Sequence, residues 1–287
     1  MATDNTGLAD RIRTRTPTRI VSYVVLGVTV LLLLFPLFWM VSTALKTGQA
    51  LTEFPPTLLP SSPSLSPMFE AFETGLWDQW FLNTAIFAVG ATVGTLIVCT
   101  PAAYALSRRE FRGQKVVFLA IMALLVFPGQ ILALPLFIQF VQMGLTDSYI
   151  GLILIYVALF SAFTTFLLRG FFQSLPSDVE DAARVAGISE WKTFFRIILP
   201  LAKPAIGVAA VFIFVFTWNE FLFALIFLND ESLYTISVGL PVFQGRYGNT
   251  AMNQLMAMAA LSSLPVLMLF VFTQESFIKG IATGYEF

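Results

Sequence analysis

Residues 175–204 read Leu175-Pro-Ser-Asp-Val-Glu-Asp-Ala-Ala-Arg-Val-Ala-Gly-Ile-Ser-Glu-Trp-Lys-Thr-Phe-Phe-Arg-Ile-Ile-Leu-Pro-Leu-Ala-Lys-Pro204. This charged, amphipathic island lies between two long apolar runs, and it carries two sets of helix start and stop signals. Ser177 and Glu180 have the spacing of a capping box, in which the Ser and Glu side chains satisfy each other's backbone donors. Asp178, Glu180 and Asp181 fall in the first turns, where negative charge suits the helix dipole. Ala182, Ala183 and Ala186 favour the helix and leave one face smooth, and Gly187 supplies the stop. Ser189 can start a second helix through Trp191, Phe194, Phe195 and Ile198, ended by Pro200. The expected unit is helix, glycine corner, helix. Two uses suit it: lying flat on lipid headgroups, or presenting a rigid face to another protein.

The rest of the chain decides what lies on either side. Hydrophobic residues make up 57% of the 287 and charged ones 11%, against about 25% charged in soluble domains. Mean hydropathy is +0.82. Too few charges remain to cover a water-exposed surface, so the chain reads as a membrane protein. Its net charge of −1 and dispersed basic residues give no nucleic-acid footprint. There is no histidine and one cysteine, Cys99. That excludes disulfides within the chain, histidine-based metal sites and any Ser-His or Cys-His pair. Cys99 lies in an apolar run and reads as a small core filler. No catalytic residue and no metal ligand is expected.

Six apolar stretches are long enough to cross a membrane, which takes about 20 residues. They run near 20–45, 80–106, 116–141, 149–168, 205–228 and 252–272. The first exceeds the roughly 7–15 apolar residues of a secretory signal, so it is read as a retained span. With the N-terminus inside, the internal segments hold Arg11, Arg13, Arg15, Arg19, Arg108, Arg109, Arg112, Lys115, Arg169, Arg184, Lys192, Arg196, Lys203 and Lys279. Only Lys46 and Arg246 fall outside. This bias predicts six spans, both termini in the cytoplasm and the island on that side. The expected divisions are a cytoplasmic tail at 1–19, one six-helix membrane domain at 20–279 and a cytoplasmic tail at 280–287. Within the domain lie the island loop 171–204 and external loops at 46–79, with a short helix near 68–75, and at 229–251, polar and rich in turns. Pro101 should interrupt the second span, and Pro128, Gly129 and Pro135 the third; such breaks are kinks or line a path. Gly90, Ala91 and Gly94 would admit a close helix neighbour.

Asp181-Ala182-Ala183, three residues, Gly187, nine residues, Ile197, one residue, Leu199-Pro200 resembles the pattern EAA-x3-G-x9-I-x-LP. That pattern marks the membrane subunits of binding-protein-dependent ABC importers. The flanking Glu190-Trp-Lys-Thr-Phe-Phe-Arg, together with Trp80-Phe-Leu-Asn83, Thr217-Trp-Asn-Glu-Phe-Leu-Phe-Ala-Leu225, Leu264-Pro265 and Phe277-Ile-Lys-Gly280, is similar to the carbohydrate-uptake branch of maltose-type, MalG-like permeases. The chain departs from the pattern in Asp181 replacing Glu beside Glu180, in Ala186 where many relatives carry Asp, and in its ending Gly284-Tyr-Glu-Phe287.

The resemblance implies an all-α, six-helix membrane protein with the type I ABC importer (MetI-like) permease fold, in a prokaryotic inner or plasma membrane. It implies a second homologous permease in a heterodimer, two cytoplasmic ATPase subunits and an extracytoplasmic substrate-binding protein as partners. The coupling residues toward the ATPase would be Glu180, Asp181, Ala182, Ala183, Gly187, Ile197, Leu199 and Pro200. The sequence has no GxxxxGK[ST] phosphate loop, so no cofactor is expected on this chain, and ATP and Mg act at the partner ATPases. The expected function is ATP-driven import of a di- or oligosaccharide by alternating access. A permease for glycerol phosphate or an amino acid shares the core motif. A secondary transporter needs intramembrane charges, and only Glu220 qualifies.

Asn219 and Glu220 lie about 15 residues into the fifth span, roughly 22 Å from its start at 1.5 Å per residue. They read either as reaching external water or a partner helix, or as polar elements of an outer vestibule. Gln130 and Gln139 on the third span, and Trp218 with its aromatic face, complete the candidate substrate path.

Overall fold

The computed structural model describes residues 6–283, with side-chain environments from 20 to 274 except at 49, 249 and 250. Its elements, in order, are α1 Thr6–Ala44, α2 Ser66–Thr74, α3 Trp77–Arg108, α4 Gln114–Ala123, α5 Ala133–Gln142, α6 Tyr149–Ser174, α7 Asp178–Val185, α8 Glu190–Thr193, a π-turn Phe194–Ile198, α9 Leu199–Leu201, α10 Lys203–Trp218, α11 Leu222–Phe227, α12 Ile236–Tyr247 and α13 Met252–Thr283. No strand occurs among the described residues. Of the expected terminal tails, 1–5 and 284–287 lie outside the described residues, and the remainder continues α1 and α13 as helix.

Among the described residues, four helical stretches are long and apolar enough to span a membrane: Ile20–Ala44, Trp77–Arg108, Tyr149–Ser174 and Met252–Gln274. A fifth arises if Glu190–Leu201 and Lys203–Trp218, bent by 71°, count as one. Two expected spans are therefore not continuous helices. The stretch 116–141 is divided into α4 and α5 by the bend at 124–128, where Pro128 has extended backbone and Pro135 sits harmlessly in the first turn of α5. The stretch 205–228 breaks at Asn219–Phe221 between α10 and α11. Pro101, by contrast, does not interrupt α3, which runs on to Arg108. The loop at 229–251 is not merely turns, because α12 occupies most of it. The short helix expected near 68–75 is α2.

The chain forms two compact units, one combining the residues up to Thr74 with Tyr247–Leu261, the other holding Gly75–Arg246 and the residues from Ser262 on. In the first, residues 20–38 of the α1 span are apolar nearly all round and exposed on every face, with Tyr23 and Leu31 each 72% exposed, while Ser42, Thr43 and Ala44 at its end are buried. Such a helix needs lipid or another protein around it. Lys46, buried, donates from Nζ to Thr57 O at 2.5 Å and lies over the Trp39 ring.

The second unit is built on α3, α6 and α10. Small residues on α3 make its contact with α6 possible: a Cβ added at Gly90 would stand 2.6 Å from Ile153, and one at Gly94 would stand 2.9 Å from Val157. The sequence reading of these glycines as an approach surface is met by α6. One core cluster gathers Phe87, Leu152, Tyr156, Ile213, Phe223 and Phe227. A second, at the C-terminal end of α3, gathers Ala103, Tyr104, Leu168, Phe172, Phe194 and Ile198.

The two ends of α3 thus serve different segments. Near its start, Trp80 Nε1 donates to Glu231 O, and Asn83 Nδ2 to Ser232 O and Tyr234 O. At its finish it meets the island. Close by the first end, Asp147 holds 229–230: its carboxylate accepts from Asn229 N at 2.5 Å and Asp230 N at 3.0 Å. Partial burial pushes the Asp147 carboxyl up, but these backbone donors and the Asn229 side-chain amide outweigh it and hold the group below its ordinary value.

Candidate functional site

Within the island, α7 ends as the glycine spacing predicts. Gly187 has φ +70°, Gly187 N donates to Arg184 O, and Ile188 N donates to Ala183 O, both at 3.0 Å. This pair of bonds is a Schellman stop, which satisfies the last carbonyls and turns the chain sharply. A Cβ at Gly187 would meet nothing within 4 Å, so backbone conformation alone, not crowding, calls for glycine.

The start of α7 differs from expectation. Ser177 has helical backbone and its side chain makes no cap bond, so no capping box forms. Glu180 is drawn elsewhere. Its Oε1 accepts from the Tyr104 hydroxyl of α3 at 2.5 Å, and its Oε2 lies 3.7 Å from Arg108 Nε. Both Glu180 and Arg108 are largely buried, and a terminal nitrogen of Arg108 donates to Leu175 O. Arg109 donates to the Tyr104 hydroxyl at 3.2 Å and to Glu190 at 2.6 Å. The Tyr104 ring packs on Phe194 and Phe172, with centroids 4.9 and 5.7 Å away. Tyr104 therefore touches the first island helix through its hydroxyl and the second through its ring.

The adjacent carboxylate behaves oppositely. Asp181 points outward, 60% exposed, pairing only with Arg184 one turn along at 2.9 Å. Ala182 and Ala186 are exposed beside it, and Val185 is 91% exposed. Ala183 faces inward and is buried. The result is a small, nearly bulk-free outer face with two acids, Asp178 and Asp181, one base and one bare valine. Apolar exposure continues onto the second helix, where Trp191 (72%) stacks on Phe195.

Ile197, Leu199 and Pro200 do not join that face. Ile197 and Leu199 are half-buried, and Pro200 lies in α9, just before the 71° bend. The second helix does not stop at Pro200 as expected but passes it. Proline brings no N–H, leaving the preceding turn short of a donor, and the backbone there widens to the π form.

At the other candidate site, α10 ends at Trp218. Trp218 is buried, with Nε1 donating to Ser262 O, and Asn219 is exposed. Both line a cavity of about 270 Å³ with Ser237, Ser262, Ser263 and Leu240. Glu220 does not line it. Its carboxylate accepts from Phe223 N at 2.9 Å, Ala224 N at 3.0 Å and the Tyr156 hydroxyl at 2.7 Å, capping the start of α11. Gln130 and Gln139 are exposed on other segments and do not reach the cavity.

Sequence reasoning missed Tyr104, Arg109 and Glu190. The available signal was charge: Arg108 and Arg109 were assigned to the island's side of the membrane, and a buried Glu180 needs a cation.

A helical chain with several apolar spans, broken helices and an exposed, rigidly cornered island has the make-up of a membrane transport subunit. The chain belongs to the binding-protein-dependent transport system inner membrane component family, whose model matches residues 99–283. It is a permease subunit of an ABC transporter. It is 35% identical over 250 residues, 87% of this chain and 82% of that protein, to the probable ABC transporter permease protein YurM of Bacillus subtilis. It is 33% identical to the arabinooligosaccharides transport system permease protein AraQ of the same organism, covering 88% of this chain and 90% of that one. The trehalose/maltose transport system permease protein MalG of Thermococcus litoralis is 31% identical, again over 88% and 90%. Among solved structures, a chain of a bacterial ABC transporter involved in the import of the acidic polysaccharide alginate superposes with a TM-score of 0.81 at 26% identity, covering 95% of this chain and 99% of that one.

Proposed function

We propose that this chain is one of two paired permeases in an ATP-driven importer, and that it passes a sugar delivered by an extracytoplasmic binding protein by alternating access. In this reading the chain crosses a prokaryotic inner membrane six times with both termini and the island in the cytoplasm, α4–α5 and α10–α11 serving as broken spans. The names of several relatives, for arabinooligosaccharide and for trehalose and maltose, favour carbohydrate over amino acid or glycerol phosphate. A separate pair of ATPase subunits binds ATP and Mg.

The observation that carries the proposal is the outer face of α7. Asp181, Ala182, Val185 and Ala186 are exposed together on a helix whose inner face is fastened to the protein. A valine 91% exposed to water on a charged loop is costly to leave uncovered, at about 1.5–3 kcal/mol for a full apolar side chain. An ATPase groove seated over it removes that cost. Ala183, Gly187, Ile197, Leu199 and Pro200 shape the support behind that face. Trp218 and Asn219 line the substrate path, and Glu220 holds its shape by ordering α11.

Calorimetry with the cognate binding protein tests the substrate class. A di- or oligosaccharide should bind and amino acids and glycerol phosphates should not; selective binding of an amino acid overturns the sugar reading. Replacing Val185 with Glu tests the dock: the ATPase subunit should no longer copurify, and full retention counts against this face.

A further inference from the structure

The outward and inward carboxylates of α7 divide two tasks that a docking loop must perform: meeting the partner and passing on its movement. Asp181 is available to a partner. Glu180 is not, because its side chain is 15% exposed and both its oxygens face α3. A docked partner can move the permease only through what connects the island to the helices behind it. Four polar contacts make that connection on α3: Tyr104 hydroxyl to Glu180, Arg108 to Glu180, Arg109 to Glu190, and Arg108 to Leu175 O. Arg109 also donates to the Tyr104 hydroxyl and lies over its ring, so both halves of the connection share one tyrosine.

We infer that Tyr104 and Glu180 form a latch that makes α7 and the end of α3 move as one body, and that they are positioning residues for coupling and not contacts of the ATPase. The physical basis is stiffness. α7 is eight residues long and is followed by a glycine in the left-handed region. A helix this short is marginal by itself, so without an anchor a push on its outer face would be absorbed by the Ser177 and Gly187 joints. Tyr104 places a short, charge-assisted bond, among the stronger kinds, between those joints. From there the load passes into α3, which packs most extensively on α6 and next on α10. The latch thus leads from the island to the three-helix core without crossing the 71° bend at Ala202.

The inference rests on the island being the ATPase dock, so its test has separate arms. The assembled complex is purified in detergent as wild type, Y104F and E180Q. Y104F deletes the bridging hydroxyl but keeps the ring packed on Phe172 and Phe194. E180Q keeps an acceptor for Tyr104 but removes the charge facing Arg108. Backbone amides of 178–186 should exchange at least about tenfold faster in Y104F, while the ATPase subunit stays bound at wild-type stoichiometry in both variants. Stimulation of ATP hydrolysis by the binding protein should fall at least threefold in each. The double variant should be little worse than the worse single, as expected for members of one contact. Unchanged exchange in both variants overturns the latch, as does wild-type stimulation with α7 loosened. Loss of the ATPase subunit from E180Q alone would make Glu180 a docking contact and also overturn it. If the wild type carries no ATPase subunit, the docking reading fails, while the exchange arm still decides whether the latch exists.

Discussion

Two tyrosine–glutamate pairs stand in this molecule and they are built differently. At the break between α10 and α11, Glu220 accepts from Tyr156 of α6 at 2.7 Å and from two backbone amides of the helix it precedes. On the island, Glu180 accepts from Tyr104 of α3 at 2.5 Å, and its second oxygen faces a cation of that same helix. Glu220 spends most of its bonding capacity on its own segment, so it fixes a local shape. Glu180 spends all of its side-chain contacts on another element, so it fixes a relation between elements. The first kind of site is expected to govern whether a span folds; the second, whether a movement is passed on.

The largest effect expected from breaking this comparison is on folding at the Glu220 end. E220A leaves two amides and the Tyr156 hydroxyl without their acceptor, each unsatisfied buried group costing about 1–3 kcal/mol. The thermal midpoint of the purified complex should fall by the equivalent of about 3 kcal/mol, with transport per folded molecule much less affected. Y156F should cost about 1 kcal/mol in the same assay, since the amide bonds to Glu220 persist. If E220A were neutral for stability but abolished transport, Glu220 would belong to the substrate path and the contrast with Glu180 would collapse.

At the island a smaller stability cost should go with a larger functional one. Gly187→Val forces a β-branched residue to φ +70°, costing about 1–2 kcal/mol, while its Cβ meets nothing within 4 Å. Midpoint measurements should register that modest loss. Binding-protein-stimulated ATP hydrolysis should fall at least threefold if, as proposed, Gly187 shapes the support behind the docking face. Equal losses at Gly187 and Glu220 in both assays would erase the distinction.

The smallest effect should come from Asp147, which fastens 229–230 near the Glu220 end. Its carboxyl is held below the ordinary 3.8, so the ionised form is favoured by folding. That contribution is complete above the unfolded value and is lost as pH falls through it toward the lower folded value. D147N should therefore lower the midpoint slightly at neutral pH and flatten its decline between about pH 5 and pH 2. A steeper decline than wild type would contradict the sign.

Much of this was legible in the sequence, and the misses share a cause. Spacing alone marked the Gly187 corner, α2, and the Gly90 and Gly94 face that α6 fills, because each follows from local geometry. Ser177 and Glu180 have capping-box spacing, yet no box forms: Tyr104, 76 residues away, binds the carboxylate instead. Hydropathy drew 205–228 as one span because α11 is as apolar as α10; the break is set by Glu220 capping a new helix from within the run. Pro101 looked like an interruption, but α3 continues through it. Periodicity reports what a residue can do with its neighbours in sequence. Which distant side chain competes for it becomes visible only when the helices are packed.

The central claim is that the outer face of α7 meets the ATPase while its inner face is fastened to α3. Crosslinking from single cysteines at Val185 and at Ala183 tests this most directly, with buried Cys99 replaced by Ala and the complex left assembled in membranes. The account predicts an adduct between permease and ATPase from the Val185 position, with yield that changes on adding ATP, and none from the buried Ala183 position. Adducts from Ala183 and not from Val185, or from neither in a complex that hydrolyses ATP, would contradict it.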